Sequence, residues 1–478
     1  MLAVFAAASC ARAGGPVAGG APLHLADARA IAARPYTPPA KVANPRLRAL
    51  DYDDYRKLPF RVWRALWRDS GLPFEIGFYH PGYLFNHPPT VAVDDSGFQW
   101  TVPYAPDRFE CYLDGGIEAY RPGLDGYAGF FALHPFDGGP ARECLSFLGA
   151  SYFRAIGSGH VYGTSARGLA IAMGGPGAEV FPAFTRFTIH RPDPGDAALV
   201  VDALLDSPGL AGAYRFEIEP GASTTVRVDA RLVARAETRD VVLAPLTSMF
   251  FHDLRDEMPG GEHRPRVHDA EGLLIESGTG EFLYRPLANR TADRVSLFST
   301  AGTPLGFGLA QRHTAASDYE DAEALYDRRP TAWVEPEGEW PAGSVLLLEL
   351  HAPHEGVDNI GAGWRLAEPL REGEEMAFAY TLRFLTGDPP GHTGARLKRL
   401  ESDGEGGLRL HFEGGIAGRP GAELLVEQGG GVRGAVPAAA GAGGSSTATI
   451  PAALRTGAEL RCYLRSGGDY SETVIIAP

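Results

Sequence analysis

Leu199-Val-Val-Asp-Ala-Leu-Leu205 and, shortly after it, Ala213-Tyr-Arg-Phe-Glu-Ile218 decide how the chain is read. Both runs are short, rich in aliphatic and aromatic residues, and closed off by Asp, Pro and Gly. In the second, Tyr214, Phe216 and Ile218 alternate with Arg215 and Glu217, which is the period of a strand with one buried face. The same texture recurs at Phe74-Glu-Ile-Gly-Phe-Tyr79, Val345-Leu-Leu-Leu-Glu-Leu350 and Ala377-Phe-Ala-Tyr-Thr-Leu-Arg-Phe384. Many such runs without long helical patterns predict an all-β fold built on a large antiparallel β-sandwich.

Working outward, residues 22–35 predict a short amphipathic helix stopped by Pro35. A second helix is expected over Tyr55–Trp67, with Val62, Trp63, Leu66 and Trp67 at helical spacing. Downstream, Gly387-Asp-Pro-Pro-Gly-His-Thr-Gly394 has linker chemistry and no apolar anchor. Leu408–Phe412, Glu423–Glu427 and Leu460–Leu464 then continue as short strands between glycine turns. Roughly 80 residues of that kind fit a small immunoglobulin-like β-sandwich. Gly429–Ser446, rich in Gly and Ala, is expected to be a long flexible turn. The expected division is a leader at 1–21, a large sandwich at 22–387, a linker at 388–394 and the small sandwich at 395–478.

The chain has 478 residues, 44% apolar and 22% charged, enough to bury a proper core. Its formal charge of -15 argues against nucleic acid or another polyanion as partner, because phosphate binding needs a basic face. A neutral ligand is permitted. Met1–Ala13 resembles the end of a secretory signal, with a short apolar core and a small-x-small site but no positive start. No apolar run reaches the roughly 20 residues of a membrane helix. Beyond Cys10, Cys111, Cys144 and Cys462 match no zinc motif, and a Cys111–Cys144 disulfide or three buried thiols fit equally well.

Nucleotide-loop, zinc-protease and nucleophilic-serine signatures are missing: Gly174-Gly-Pro-Gly177 lacks a following Lys-Ser/Thr, His354-Glu355 stands alone, and Ser165 sits in Gly-Thr-Ser-Ala-Arg. No cofactor or metal is therefore expected. Two aspartates stand out instead. Asp269, in Arg266-Val-His-Asp-Ala-Glu-Gly-Leu273, and Asp358, in His354-Glu-Gly-Val-Asp-Asn-Ile360, each interrupt strand-like sequence in a glycine-flanked break. Glycoside cleavage needs one carboxylic acid to protonate the leaving oxygen and one carboxylate to activate water or attack carbon. Local sequence taken alone favours turn aspartates that accept backbone N–H bonds. Tyr326, Arg328, Arg329, Trp333 and Glu335 group aromatic faces with charged forks, as a sugar site would. A structural helix-to-strand corner explains them as well. Tyr152 belongs to Gly149–Ala170, whose Tyr152, Arg154, His160, Tyr162 and Arg167 suit either a cleft or a buried network.

Gly149–Ala170, Leu204–Phe216, Ala244–Phe250, Arg264–Leu273, Gly308–Arg312, Tyr326–Pro336 and Asp358–Ile360, in this order, resemble the osmoregulated periplasmic glucan biosynthesis family (the OpgG, OpgD and MdoG proteins; glycoside hydrolase family 186). The resemblance spans residues 25–387 strongly and the C-terminal part weakly. It implies a large galactose-mutarotase-like β-sandwich joined to an immunoglobulin-like domain, residence in a Gram-negative periplasm, and action on linear β-1,2-glucan. It implies Asp358 as general acid and Asp269 as base, reached through a relay of hydroxyl and water, with Tyr326 in the same region. Arg312, in a matched segment, and Glu355 and Trp364, in the stretches flanking Asp358, are also expected glucan contacts. Membrane glucan synthase machinery is an implied partner, and a homodimer is compatible. The stretches Glu355-Gly-Val357, Asn359-Ile-Gly-Ala-Gly-Trp364 and His313–Ser317 depart from the family pattern, and the first two are expected to remove side chains beside Asp358. Endo-hydrolysis with inversion leads, with an inverting transglycosylase or cyclase and a non-catalytic glucan-binding assembly factor as alternatives.

Overall fold

The computed structural model describes residues 24–477 apart from 124, 125, 257, 259 and 456; the signal-like leader at 1–21 lies outside the described residues. Leu199–Asp206 and Leu210–Glu219 form the antiparallel hairpin that their sequence predicts, with Val201 opposite Phe216 and Ala203 opposite Tyr214. Thr224–Ala234 and Glu375–Leu385 continue the ladder, also antiparallel. These strands sit inside a 16-stranded sheet, and a 10-stranded sheet covers its inner face. The fold is an all-β sandwich.

The core lies between the two sheets because each strand turns alternate residues inward. Phe78, Phe130, Phe147, Phe153 and Trp364 from the smaller sheet meet Phe187, Phe216, Val228 and Leu382 from the larger. Phe147 alone has ring centroids 5.1–6.2 Å from those of Phe130, Phe153, Phe184, Phe187 and Phe216. Burying each such ring stabilises the fold by about 1.5–3 kcal/mol. The helix expected over 22–35 forms at Leu25–Ala32, and Ala28 and Ala32 lie on Leu204, Ala211 and Ala213 of the large sheet. Its small residues let it lie close to the strands.

The second expected helix does not form. Tyr52–Tyr55 makes one turn and Val62–Arg64 a short 3-10 turn. Pro59 separates them, lacking the N–H a helix needs and pushing Leu58 toward extended backbone. Phe60 then bridges to Phe109 as sheet-like backbone. Gly429–Ser446 is also more ordered than expected. Gly429 and Gly430 both adopt positive φ, closing a hairpin in which Gly431–Pro437 pairs with Glu423–Gln428.

The C-terminal strands are not hung on a loose linker. Thr473–Ile476 runs parallel beside Phe282–Pro286, so Glu423–Gln428, Leu460–Ser466 and Thr473–Ile476 extend the large sheet itself. A four-stranded sheet containing Arg396–Ser402 and Leu408–Glu413 completes this part. Their shared core takes in Leu274, Tyr284, Ala310 and Trp333 from the outer face of the large sheet. Within the expected linker, Asp388 and His392 are buried in an ionic cluster with Arg312 and Glu472. Cys111, Cys144 and Cys462 are free thiols. Among the described residues no helix is long and apolar enough to cross a membrane.

Candidate active site

Asp269 follows the two-residue strand Val267–His268, which pairs with Phe250–His252. Its own N–H donates to the Met249 carbonyl at 2.8 Å, so the aspartate is fixed to the end of a sheet strand. The residue is only 6% exposed, and Arg329 Nη1 donates to its carboxylate. Burial raises the Asp269 pKa; Arg329 opposes that, and the charge of Asp358 adds to the rise. The two aspartates, 89 positions apart in the chain, therefore share one electrostatic site.

Asp358 is exposed, at the end of the Glu355–Val357 loop. The next residue anchors it. Asn359 is fully buried; it donates to the Phe250 and Leu350 carbonyls at 2.9 and 3.1 Å and accepts from the Phe250 N–H at 2.9 Å. Phe250 adjoins Met249, which holds Asp269. One amide side chain thus ties together the two backbones that carry the acids.

Tyr326 opens a short 3-10 turn, Tyr326–Arg328, and is buried. Its hydroxyl donates to Glu355 Oε2 at 2.7 Å, and the Arg329 guanidinium lies 4.4 Å from its ring centroid. Burial and the Glu355 carboxylate raise the Tyr326 pKa, keeping the phenol protonated. Burial pushes Glu355 up, but hydrogen bonds from Arg264 and Tyr326 outweigh it and hold the carboxylate below its usual range. Arg264 Nη1 reaches Asp321 at 2.8 Å and Glu355 at 2.9 Å, while Nη2 donates to Glu262 at 2.6 Å. Gly163 explains how Arg329 gets so close: a Cβ there would lie 2.9 Å from the Arg329 Cβ. Arg154, hydrogen-bonded to Ser165 at 2.6 Å, completes the positive surroundings of Asp269.

The expected site residues divide. Asp269, Asp358, Tyr326, Arg329 and Glu355 come together. Arg328 turns outward and donates to the Gly159 carbonyl at 2.8 Å. Tyr152 lies two residues from Arg154 on the same strand face, beside a separate groove. Trp333, Glu335, Arg312 and Trp364 are corrections. Trp333 is 1% exposed in the core shared with the C-terminal strands, and Glu335 pairs with Arg383 at 3.0 Å on that same face. Trp364 is 1% exposed in the main core, its indole N–H on the Pro341 carbonyl. Rings enclosed in this way offer no face to a sugar. Arg312 is locked to Asp388 and Glu472.

The glycines after Asn359 do not open space beside Asp358. A Cβ on Gly361 would meet Met173 Sδ at 3.0 Å and one on Gly363 the Val242 side chain at 2.4 Å, so both permit close packing. Only Gly356 leaves a side chain out of the loop before Asp358.

Sequence reasoning missed Asn359, Arg264 and Gln311, and it left Arg154 between a cleft and a buried network. Gln311 is fully buried; it donates to the His268 and Tyr326 carbonyls, each at 3.1 Å, and accepts from His268 Nδ1 at 3.0 Å. Nothing in local sequence marks it, since its partners are brought together only by the sheet. Asp253, His268 and Glu271 offer ligand atoms within 4.8 Å of one another. Arg266 and Arg255, at 3.0 and 3.4 Å, already balance Asp253, while His313 and the Arg312 and His313 N–H groups take up Glu271. A divalent ion there would leave buried charge uncompensated, so these residues do not fit a metal.

The profile of the family described as "Periplasmic glucan biosynthesis protein, MdoG" matches residues 24–437. Glucans biosynthesis protein G 1 of Shewanella oneidensis is 42% identical over 367 residues, 76% of this chain and 66% of that protein. Glucans biosynthesis protein G of Shewanella sp. strain W3-18-1 is 42% identical over 359 residues, 74% and 65% of the two chains. The match thus spans just under two thirds of these relatives' own length. An α-galactosidase structure from Geobacillus stearothermophilus shares 9% identity at a TM-score of 0.23, covering 60% of this chain and 33% of that one. The profile match over most of the chain, together with these relatives, decides the kinship: the chain belongs to the MdoG family of periplasmic glucan biosynthesis proteins.

Proposed function

We propose that this protein cleaves the β-1,2-glucosidic bond of linear β-1,2-glucan in the periplasm, with inversion at the anomeric carbon. The observation that carries the reading is the meeting of a buried, arginine-held aspartate with an exposed one beside the Tyr326–Glu355 hydrogen bond. Asp358, covered and desolvated by the bound chain, donates its proton to the glycosidic oxygen as that bond breaks. Water attacks the anomeric carbon from the opposite face, and its proton passes through a hydroxyl and water relay to Asp269. Burial makes Asp269 a better base, while Arg329 keeps it ionised and aimed. Tyr326 donates its hydrogen bond to Glu355, leaving its oxygen lone pairs free to accept a hydrogen bond from the relay.

The test is incubation of the purified protein with linear β-1,2-glucan, followed by mass spectrometry of products and NMR of the newly formed anomer. Shorter linear chains with the inverted anomer support the reading. Chains returned unchanged refute it. A second reading, transfer to a sugar hydroxyl with ring closure, is favoured by the exposure of Glu355, Gly356 and Asp358, which leaves the acid open to an acceptor other than water. Its products lack the added water. A protein that only binds the glucan, for assembly with membrane synthase machinery, would give neither product and yet retain affinity.

A further inference from the structure

A groove of about 470 Å³ opens where the Gly149–Ala150 turn meets the segments around Pro38 and Pro88. Tyr152, Phe181, Leu84 and His87 line its mouth. Phe181 is 51% exposed and Leu84 72%, so the two present adjoining apolar surface along one groove. Behind the mouth lies Arg167, 3% exposed. Its guanidinium carbon is 5.3 Å from the ring centroids of both Tyr152 and Phe181, and it donates to the Tyr152 hydroxyl at 3.3 Å. Glu179, 2.7 Å away, neutralises it. The result is a braced pair of aromatic rings with no net charge. Such a surface suits the C–H face and hydroxyl rim of a neutral sugar better than an anion or a purely apolar partner.

The groove is joined to the aspartates by the sheet. Tyr152 pairs with Arg167 and Phe153 with Ala166, so Arg154 faces Ser165 on the next rung of the same outer face. Phe153 and Ala155 point into the core, leaving Tyr152 and Arg154 side by side outside, about 7 Å apart along the strand. Arg154 is, after Arg329, the second arginine whose charge acts on Asp269. We infer that the Tyr152–Phe181 groove is a distal subsite that stacks glucosyl units of the same glucan chain, several units from the bond at Asp358. This rests on the glucan reading of the aspartate site.

The experiment is calorimetric binding of linear β-1,2-glucans in an Asp358→Asn background, using a short oligosaccharide and one about three times as long. Wild-type grooves should bind the long chain more tightly. Phe181→Ala should weaken the long chain about three- to tenfold and leave the short one unchanged, and Phe181→Tyr should restore it. Equal loss at both lengths, or none, overturns the inference while leaving the aspartate site standing. Failure of the parent to bind either length overturns both.

Discussion

Two arginine–carboxylate clusters sit at opposite ends of the Gln311–Arg312 segment, and they differ in what remains unfilled. At the C-terminal side, Arg312 Nε donates to Asp388 at 2.7 Å and its two Nη atoms to Glu472 at 2.8 Å each. Leu397 takes a further bond at 3.1 Å, and the guanidinium lies 3.8 Å from the Tyr284 ring centroid. All three charged side chains are nearly inaccessible. At the cleft side, Arg264 and Arg329 hold Glu355 and Asp269, but Glu355 is 43% exposed and Asp358 stands in solvent. The same residue types thus make a closed clamp in one place and an open site in the other. Spare hydrogen-bonding capacity, not the presence of charge, marks where a ligand can enter.

The largest expected effect tests the open side. Asp358→Asn should lower glucan cleavage by about 10²–10⁴-fold, since it removes the general acid. An exposed site should shift stability by no more than about 0.5 kcal/mol. Product formation and thermal unfolding of one preparation check both halves, and retained activity would sink the acid assignment. The closed side should behave in reverse. Arg312→Met strands Asp388 and Glu472 without their cation and should cost about 3–5 kcal/mol of stability. Turnover by the fraction that stays folded should change little. Denaturant unfolding measures the first and activity per folded molecule the second; a catalytic loss without destabilisation would return Arg312 to the cleft.

Most of the architecture was legible because it is periodic. Tyr214, Phe216 and Ile218 announce their inward face one strand at a time. The misreadings share a cause. Trp333 and Arg312 have the chemistry of a sugar site, and only the docking of the C-terminal strands on the outer face of the large sheet shows that they are enclosed. Asn359 and Gln311 are the mirror case, ordinary amides that gain meaning from strands distant in the chain. Asp269 and Asp358 were visible as breaks in pattern, but their meeting depends on a sheet that no local window contains.

A smaller effect sharpens the open side. Tyr326→Phe deletes one hydroxyl, the bond to Glu355, and keeps the buried ring against Arg329. If the phenol serves the proton path to Asp269, kcat should fall about ten- to a hundredfold with KM nearly unchanged. A rise in KM at constant kcat would make Tyr326 a plain binding residue.

The smallest effect concerns the closed side and its pH dependence. His392 is buried with Nε2 3.0 Å from Glu472 and Nδ1 3.4 Å from Asp388, while Arg312 and Arg396 face the same carboxylates. Burial alone would lower the His392 pKa, but the hydrogen bonds and charges of Asp388 and Glu472 outweigh it and raise the value. A raised folded-state pKa means stability fully present below the unfolded value of about 6.5 and lost as pH climbs through the folded one. Asp388 and Glu472 act in the opposite sense. Burial pushes both up, Arg312 and His392 pull both lower, and their contribution is lost as pH falls below the usual carboxylate range. The clamp should therefore be tightest in a window between those limits. His392→Gln removes only the alkaline limb, so wild type should be the more stable of the two near pH 6 and converge with the variant as pH climbs through the folded-state value. Thermal unfolding across that range reads the difference, and a gap that widens with rising pH would show that neutral histidine, not its cation, holds the C-terminal strands in place.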